Sequence, residues 1–292
     1  MPEIKSIPDQ GYIHDNRVFY LIGLIALLFV ITFYAPMREL YRDWSIDPNY
    51  SHGFLIPVIS MYFLWLRRHD LPRNQNGIAW PGIGIMLIGM IGAVLGSAAA
   101  EWFMLRSSMA LFLHGMVLYA IGWGNYKRIW FPMNYLWLMI PLPYVVYYAM
   151  TFPLQRLSTY LAYQIITAMG IASIIEGNIL RFANFSLEVI EACSGLRSIM
   201  VLLALSAPIA YMSSLRLPCK FILFFSAIPI AIIVNSFRLV LTALMGLFGN
   251  PESIDDVLMH QGAGVMVFIL GLAFVLMLNR IFLWINHCEK PA

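Results

Sequence analysis

Long apolar runs separated by short polar segments make up most of this chain. A helix needs about 20 predominantly apolar residues to cross a hydrocarbon core about 30 Å thick. By that criterion the pattern predicts about eight membrane-spanning helices. Their approximate ranges are 18–35, 50–66, 80–100, 107–124, 129–148, 194–213, 221–247 and 261–284.

The segment between the fifth and sixth predicted spans has a different pattern. Pro141 and Pro143 are expected to end the fifth helix, because proline has no amide hydrogen and disfavours helix in the residue before it. Thr151–Gly170 then mixes apolar residues at helical spacing with polar ones, which is typical of a helix lying in the membrane interface. The apolar residues expected to face lipid are Leu154, Leu157, Leu161 and Ile165.

Two strand-like runs follow, Ile174–Phe182 and Phe185–Ile190, and they predict a short β-hairpin that leads into the sixth span. The predicted fold is therefore an all-α integral membrane protein with about eight transmembrane helices, an interfacial helix and a short β-hairpin before helix six. No repeat, linker or charge run divides the chain. We therefore expect one domain over residues 1–292, without an additional C-terminal domain.

Composition excludes several classes of protein. The chain is 61% hydrophobic and 11% charged, with a mean hydropathy of +0.76, which leaves too few polar residues to cover a water-soluble fold. The net charge of +3 is too small to indicate a nucleic-acid partner. Three cysteines rule out a disulfide framework, and no Cys/His spacing predicts a metal site, so no metal and no cofactor are expected.

The distribution of Lys and Arg predicts the orientation in the membrane. Placing the N-terminus inside puts eleven of the 18 Lys and Arg residues on the cytoplasmic side, and leaves only Arg38, Arg42 and Arg106 in short outer loops. Cytoplasmic loops are enriched in these residues. Both termini are therefore expected to be cytoplasmic.

Cys193 is the first candidate for chemistry, because it lies at the outer start of the sixth span. A helix N-terminus favours a thiolate, and Arg197, four residues later on the same face, stabilises it further. Cys219 and Cys288 are expected at the opposite, reducing side. Cys193 is therefore a candidate nucleophile. The alternative is a small, inert cysteine at a helix start.

Arg238 and His260 are expected at a depth similar to that of Cys193. An arginine inside a span costs at least about 2.5 kcal/mol on insertion scales, so Arg238 is expected to face a cavity or a partner. An imidazole titrates near neutral pH, which makes His260 a candidate proton carrier. The alternatives are an ordinary helix-start histidine and a structural ion pair of Arg238, whose candidate partners are Glu101, Glu188 and Glu191.

These residues resemble those of the exosortases, a family of membrane peptidases related to the archaeosortases. The resemblance rests on Glu191–Ser198, Asn235–Arg238, His260, Tyr50–Gly53 and the Pro141–Pro143 segment that leads to Leu154 and Gln155. It implies a Cys, Arg and His catalytic set, which maps onto Cys193, Arg238 and His260. The implied reaction is cysteine-type peptidase or transpeptidase chemistry through an acyl-enzyme.

The resemblance also implies a substrate and a location. The substrates would be exported proteins whose C-terminal sorting signal combines a short motif such as Pro-Glu-Pro, a transmembrane helix and a basic tail, often linked to exopolysaccharide loci. The enzyme would be a multi-pass protein of the bacterial inner membrane with its active site facing the periplasm. The expected partners are these exported proteins and membrane lipids.

Five further residues are expected to bind substrate or to support the site: Asn235, Arg197, Glu191, Ser194 and His52. Asn235 would fix the Arg238 guanidinium or donate to an oxyanion. Glu191 would orient Arg238 or His260. Arg197 would bind a substrate carboxylate or only a phospholipid head group, and His52 would line the site or remain solvated.

Two other features have structural interpretations, and one rival class of function remains. His114 is expected to be a hydrogen-bonded packing residue. Helix packing is the expected role of a small-residue face made of Gly82, Gly84, Gly89, Gly92 and Gly96. The rival class is a transporter or a membrane subunit of an exopolysaccharide export system, because intramembrane polar residues also line transport paths.

Overall fold

The computed structural model describes residues 16–71, 79–189, 195–248 and 257–285, and these residues form ten α-helices and three short strands. The helices are α1 Asn16–Thr32, α2 Tyr34–Ile46, α3 Leu55–Arg67, α4 Pro81–Ala98, α5 Trp102–Arg128, α6 Trp130–Tyr135, α7 Tyr144–Ala168, α8 Leu196–Met212, α9 Leu217–Phe248 and α10 Val257–Trp284. The strands are β1 Ile174–Glu176, β2 Ile179–Arg181 and β3 Ser186–Glu188. Single 3₁₀ turns cover Ser51–Phe54, Arg68–Asp70 and Leu136–Met139.

Four of these helices are long and apolar enough to cross a membrane: Pro81–Ala98, Trp102–Arg128, Leu217–Phe248 and Gly264–Trp284. Two bent pairs meet the same criterion when each pair counts as one span, namely Gly23–Thr32 with Tyr34–Ile46 (59°) and Trp130–Met139 with Tyr144–Ala168 (80°). The prediction of an all-α multi-pass membrane protein is confirmed. The described residues give four to six spans by this criterion, so the predicted number of eight is not confirmed.

The fifth predicted span, 129–148, is the clearest departure from the expected pattern. Instead of one helix the chain forms α6 and a 3₁₀ turn, breaks between residues 140 and 143, and restarts as α7 at Tyr144. The break contains Pro141 and Pro143, neither of which has a backbone N–H to donate. The helix expected from Thr151 therefore begins seven residues earlier and contains Pro153 in its interior.

Helices α4 and α5 form a tightly packed hairpin. A Cβ atom on Gly115 would lie 2.7 Å from the Gly82 carbonyl oxygen, and one on Gly82 would lie 2.6 Å from the Gly115 carbonyl oxygen. Only glycine at both positions allows the two backbones to approach this closely. Gly89 and Gly96 contact α5 in the same way, whereas a Cβ on Gly84 would meet nothing within 4 Å, so Gly84 does not belong to the packing face.

Helices α7, α8, α9 and α10 form a second group, whose register follows from apolar contacts. Leu154 of α7 packs in the cluster of Ala227 and Ala231, and Ile166 packs in that of Leu239 and Ala243, so α7 and α9 run parallel. Helix α8 runs antiparallel to α9. Gly271 of α10 lies against Leu202, since a Cβ there would come within 2.6 Å of that side chain.

The strands form a three-stranded antiparallel sheet in the order β1-β2-β3 rather than the predicted hairpin. The extra strand arises because the chain turns at Gly177–Asn178, inside the first predicted strand. Leu180 lies opposite Ile175 and Leu187. It is completely buried in the cluster that contains Ile166 and Leu239. The sheet therefore covers the C-terminal ends of α7 and α9.

Basic residues gather at one end of the helices. Arg67 at the end of α3 lies over the Tyr211 ring near the end of α8, 5.8 Å from its centroid. Lys220 Nζ donates to the Tyr211 carbonyl (2.9 Å), and Arg128 at the end of α5 donates to the Asp70 carbonyl. The ends of α3, α5 and α8 therefore meet.

Candidate functional site

The described part of the Cys-Ser-Gly-Leu-Arg motif begins at Gly195, the residue before α8. Gly195 has a positive φ of 86°, a conformation that residues with side chains rarely adopt. A Cβ atom there would also lie only 3.1 Å from Asn235 Nδ2. Glycine is thus required for both the turn and the close approach to α9. Glu191, Cys193 and Ser194 lie outside the described residues.

Asn235 and Arg238 are both buried in α9, with exposed fractions of 0% and 9%. Asn235 Nδ2 donates a hydrogen bond to Ser158 Oγ of α7 at 3.3 Å. Thr242 Oγ1 donates to the Arg238 carbonyl at 2.9 Å, one turn further along α9. Asn235 and Arg238 are three positions apart, so the two side chains lie on one face of the helix, about 4.5 Å apart along its axis.

Polar residues of α7 extend this buried layer. Thr151, Gln155, Ser158 and Thr159 are all buried, Ser158 and Thr159 completely. They lie at spacings of three and four residues and therefore share one face. That face packs on α9 rather than facing water. Of the four residues expected to face lipid, Leu157 is exposed and the other three are half-buried.

The described residues on both sides of 190–194 lie beside α9. On one side, Val189 is completely buried in the cluster of Leu239, Val240 and Ala243. Its amide donates to the Asn178 carbonyl at 2.9 Å. On the other side, Gly195 packs on Asn235. Arg238 lies between these two contact points along α9.

Arg197 contacts the loop before the Tyr50–Gly53 motif, a contact that the sequence analysis did not predict. Its Nε donates to Asn49 Oδ1 at 2.9 Å, and the Asn49 amide donates to Asp47 Oδ1 at 2.8 Å. The preceding residue of α8, Leu196, packs with Tyr50 and Tyr147. Asn49 thus joins the candidate site. An Asp-x-Asn pair directly before the Tyr50–Gly53 motif is a turn signal that points to such a role.

His52 lies in the 3₁₀ turn after this loop and is buried, with 7% of its surface exposed. Burial lowers the pKa of its imidazole, and the nearby backbone of Asn49 and Leu138 has a smaller, opposite effect. His52 therefore lies inside the protein, not in bulk solvent. His114 is buried in α5, where its Nδ1 lies 2.7 Å from the Ala110 carbonyl oxygen, as a packing residue would.

His260 belongs to α10, and its side chain lies outside the described part of the chain. Cys219, near the start of α9, is disulfide-bonded. This differs from the expectation that Cys219 carries a thiol in a reducing environment, because disulfides persist in oxidising compartments. The other two cysteines, Cys193 and Cys288, both lie outside the described residues.

Comparison with known proteins identifies one family. A family model described as "Transmembrane exosortase (Exosortase_EpsH)" matches residues 44–277, about four fifths of the chain. The match includes Asn49, Cys193, Arg197, Arg238 and His260. No curated protein and no solved structure gives a significant match.

Proposed function

The chain belongs to the transmembrane exosortase family, and on that premise we propose that it is a cysteine peptidase or transpeptidase with Cys193 as nucleophile, Arg238 as oxyanion donor and His260 as proton carrier. The proposed substrates are exported proteins that carry a C-terminal sorting signal, of the Pro-Glu-Pro type, before a transmembrane helix. Cleavage would release the signal from the rest of the protein.

The observation that carries this proposal is the position of Val189 and Gly195, the described residues on either side of 190–194, beside α9. Val189 belongs to the apolar cluster of Leu239, Val240 and Ala243, whereas Gly195 lies against Asn235, on the other side of Arg238 along α9. Cys193 is two residues before Gly195, and two residues of extended chain span about 7 Å. The short distance along the chain from Gly195 to Cys193 favours contact between the Cys193 thiol and the Arg238 guanidinium.

Helix register supports the proposed role of His260. Leu202 lies against Gly271. From that contact both helices are followed toward their N-terminal ends at 1.5 Å per residue. His260 of α10 then lies about 16 Å from the contact, and Leu196 of α8 lies about 9 Å from it. The His260 backbone therefore lies about 7 Å beyond the start of α8. Arg238 lies about 4.5 Å beyond Asn235, the contact of Gly195, in the same direction.

The chemistry proceeds by acyl transfer. The Cys193 thiolate, stabilised by the N-terminus of α8, attacks the scissile carbonyl and forms a tetrahedral oxyanion that accepts hydrogen bonds from Arg238. When the intermediate collapses, the C–N bond breaks, a thioester forms, and His260 delivers a proton to the departing amine. Water or an amine then attacks the thioester, which releases the thiolate.

Supporting roles follow from the contacts of the described side chains. Asn235 is held by Ser158 and is buried beside Gly195, so it fixes the distance between α9 and the motif. Arg197 donates only its Nε to Asn49 within the described part of the chain, which leaves its terminal nitrogens to bind a carboxylate of the substrate. We assign Glu191 and Ser194 to the same motif as supporting residues.

Replacing the nucleophile tests the proposal. Cys193→Ala is expected to abolish processing of a signal-bearing protein in cells, while Cys219→Ala, the control for loss of a different cysteine, retains it. Both variants should accumulate to the wild-type level in the membrane. Wild-type processing by Cys193→Ala would overturn the proposal and favour the transporter or export-subunit alternative.

The proposed orientation places the active site in the periplasm of a bacterial inner membrane and both termini in the cytoplasm. It follows from the basic residues at the ends of α3, α5 and α8. In that orientation the Cys219 disulfide would be reduced in cells. A membrane-impermeant maleimide added to intact spheroplasts is therefore expected to label Cys193 and to label Cys219 only after permeabilisation. Labelling of Cys219 alone in intact spheroplasts would invert the orientation.

A further inference from the structure

A cavity of about 440 Å³ lies where the end of α2 meets the starts of α5 and α7. Its lining includes five charged residues and the Tyr50 ring, which also packs against Leu196 at the start of α8. We call this space the α2–α5 cavity. None of the residues proposed for catalysis lines it. The charged lining residues are Glu39, Arg42, Asp43, Asp47 and Arg106.

Four of these charges form two pairs. Arg106 is buried, with 6% of its side chain exposed, and its terminal nitrogen lies 2.8 Å from Asp43 Oδ2. Arg42 lies 3.5 Å from Glu39 Oε2 near the surface. Asp47 accepts a hydrogen bond from the Asn49 amide and, within the described ranges of the chain, forms no ion pair. The lining therefore has one carboxylate more than it has cations.

The position of Asp47 adds to this negative potential. Asp47 is the C-terminal capping residue of α2, and the C-terminus of a helix carries a partial negative charge. A carboxylate at this position favours a nearby cation. Burial, and next the negative charge of Asp47, raise the pKa of the neighbouring Tyr50 hydroxyl, as expected in an electronegative cavity.

The remaining wall of the cavity is partly aromatic. Tyr50, Trp102 and Tyr144 line it, and faces of aromatic rings attract cations, as the Arg106 guanidinium, 5.9 Å from the centroid of the Trp102 ring, already shows. Trp102 begins α5, one of the four helices long enough to span the membrane, and Tyr144 is 80% exposed at the start of α7. Tyr and Trp at the end of a spanning helix are typical of the boundary between membrane and water. The α2–α5 cavity therefore opens where lipid headgroups lie.

We propose that the α2–α5 cavity binds a primary ammonium group, of the kind carried by the headgroup of an aminophospholipid. Asp47 accepts its hydrogen bonds, and the Tyr50 and Trp102 rings form the adjoining wall. A primary ammonium is compact and carries three donors, which suits a carboxylate in a narrow, electronegative space. This site does not depend on the proposed peptidase activity.

Lipid competition on the full-length protein tests the proposal. The purified, delipidated protein is offered equal amounts of phosphatidylethanolamine and phosphatidylglycerol in detergent micelles, and the bound lipids are counted by native mass spectrometry. We expect the wild type to bind phosphatidylethanolamine about fivefold more than phosphatidylglycerol, which corresponds to about 1 kcal/mol. Asp47→Asn, which can keep the turn at Asn49, is expected to lose this preference.

Asp70→Asn is the matched control, because Asp70 is an exposed aspartate at the other end of the helices, paired with Arg67. It should keep the wild-type preference, and both variants should keep the wild-type helix content by circular dichroism. Equal binding of the two lipids by the wild type, or a preference retained in Asp47→Asn, would overturn the proposal. Displacement of the lipid by soluble ethanolamine would identify the ammonium alone as the ligand. No displacement, with the preference for phosphatidylethanolamine intact, would identify the whole lipid.

Discussion

The α4–α5 hairpin and the α7–α9 contact are both helix pairs of a membrane protein, yet opposite kinds of residue hold them together. In the hairpin, Gly82 and Gly115 bring two backbones into contact. Between α7 and α9, Ser158 and Asn235 are completely buried and hydrogen-bonded to each other. Lipid offers no hydrophobic drive for helix association, so packing or hydrogen bonding must supply it.

This difference distinguishes the α4–α5 hairpin, which has a structural role, from the α7–α9 contact, which belongs to the candidate site. Buried polar groups between helices cost free energy unless they are satisfied, and they are therefore found where the chain has a use for them. Arg238 is buried in the same helix as Asn235, and Gly195 at the start of α8 lies against Asn235, so both belong to the α7–α9 region. The hairpin contains no group that we assign to chemistry. Substitutions in the two regions should therefore affect different measurements.

The largest expected effect is on catalysis. Arg238→Gln removes the proposed oxyanion donor and should lower the rate of signal cleavage by about 100- to 1,000-fold. Arg238→Lys keeps the charge but not the planar fork, so its rate should lie between those of the wild type and Arg238→Gln. The rate is measured on a purified signal-bearing substrate. Arg156→Gln, an exposed arginine of α7, is the control and should cleave normally. Full activity of Arg238→Gln would remove Arg238 from the mechanism.

A smaller effect, on stability alone, is expected in the hairpin. Gly115→Ala places a Cβ against backbone atoms of Gly82 and Met86, which cannot move aside easily. It should lower the free energy of unfolding by about 1–3 kcal/mol and leave cleavage by the folded protein unchanged. Thermal unfolding in detergent measures the loss. Gly84→Ala is the control, since its Cβ meets nothing, and it should unfold at or slightly above the wild-type temperature.

The smallest expected effect lies between α7 and α9 and should appear in both measurements. Ser158→Ala removes the hydroxyl that accepts from Asn235, and should destabilise the protein by about 1 kcal/mol. It should also slow cleavage, because Asn235 fixes the approach of Gly195. Thr151→Val is the control, since among the described residues the Thr151 hydroxyl bonds only the Tyr147 carbonyl of its own helix. Cleavage by Ser158→Ala at the wild-type rate would show that the contact is structural.

Much of the fold follows from hydrophobic patterning, and the departures have identifiable causes. Long uninterrupted runs such as 80–100 and 221–247 are helices in the structure, α4 and α9. The fifth predicted span is not, because two prolines break the backbone hydrogen bonding before Tyr144. Helix α2 was not predicted, since the charged residues that it carries interrupt the apolar pattern. The structure pairs one of them, Asp43, with Arg106 of α5.

The candidate site was predictable only in part. Polar residues inside spans, such as Arg238 and Asn235, are visible in the sequence because lipid excludes them. The polar face of α7 was visible too, but periodicity does not tell whether a polar face meets water or another helix. The contact of Arg197 with Asn49 joins residues 148 positions apart. No local pattern encodes such a contact.

The length of α9 has a consequence for which bond can be cut. The helix continues 13 residues beyond Asn235 to Phe248, about 20 Å, while α8 stops at the level of Asn235. The part of α9 beyond Asn235 is covered by the small sheet and forms a fixed surface on the far side of Arg238. A substrate anchored by its own transmembrane helix would meet that surface at a constant height. The distance between the substrate's membrane helix and the bond that is cleaved would then be fixed. A substrate whose scissile bond is shifted by one helical turn, about 5.4 Å, would place that bond out of reach of the nucleophile.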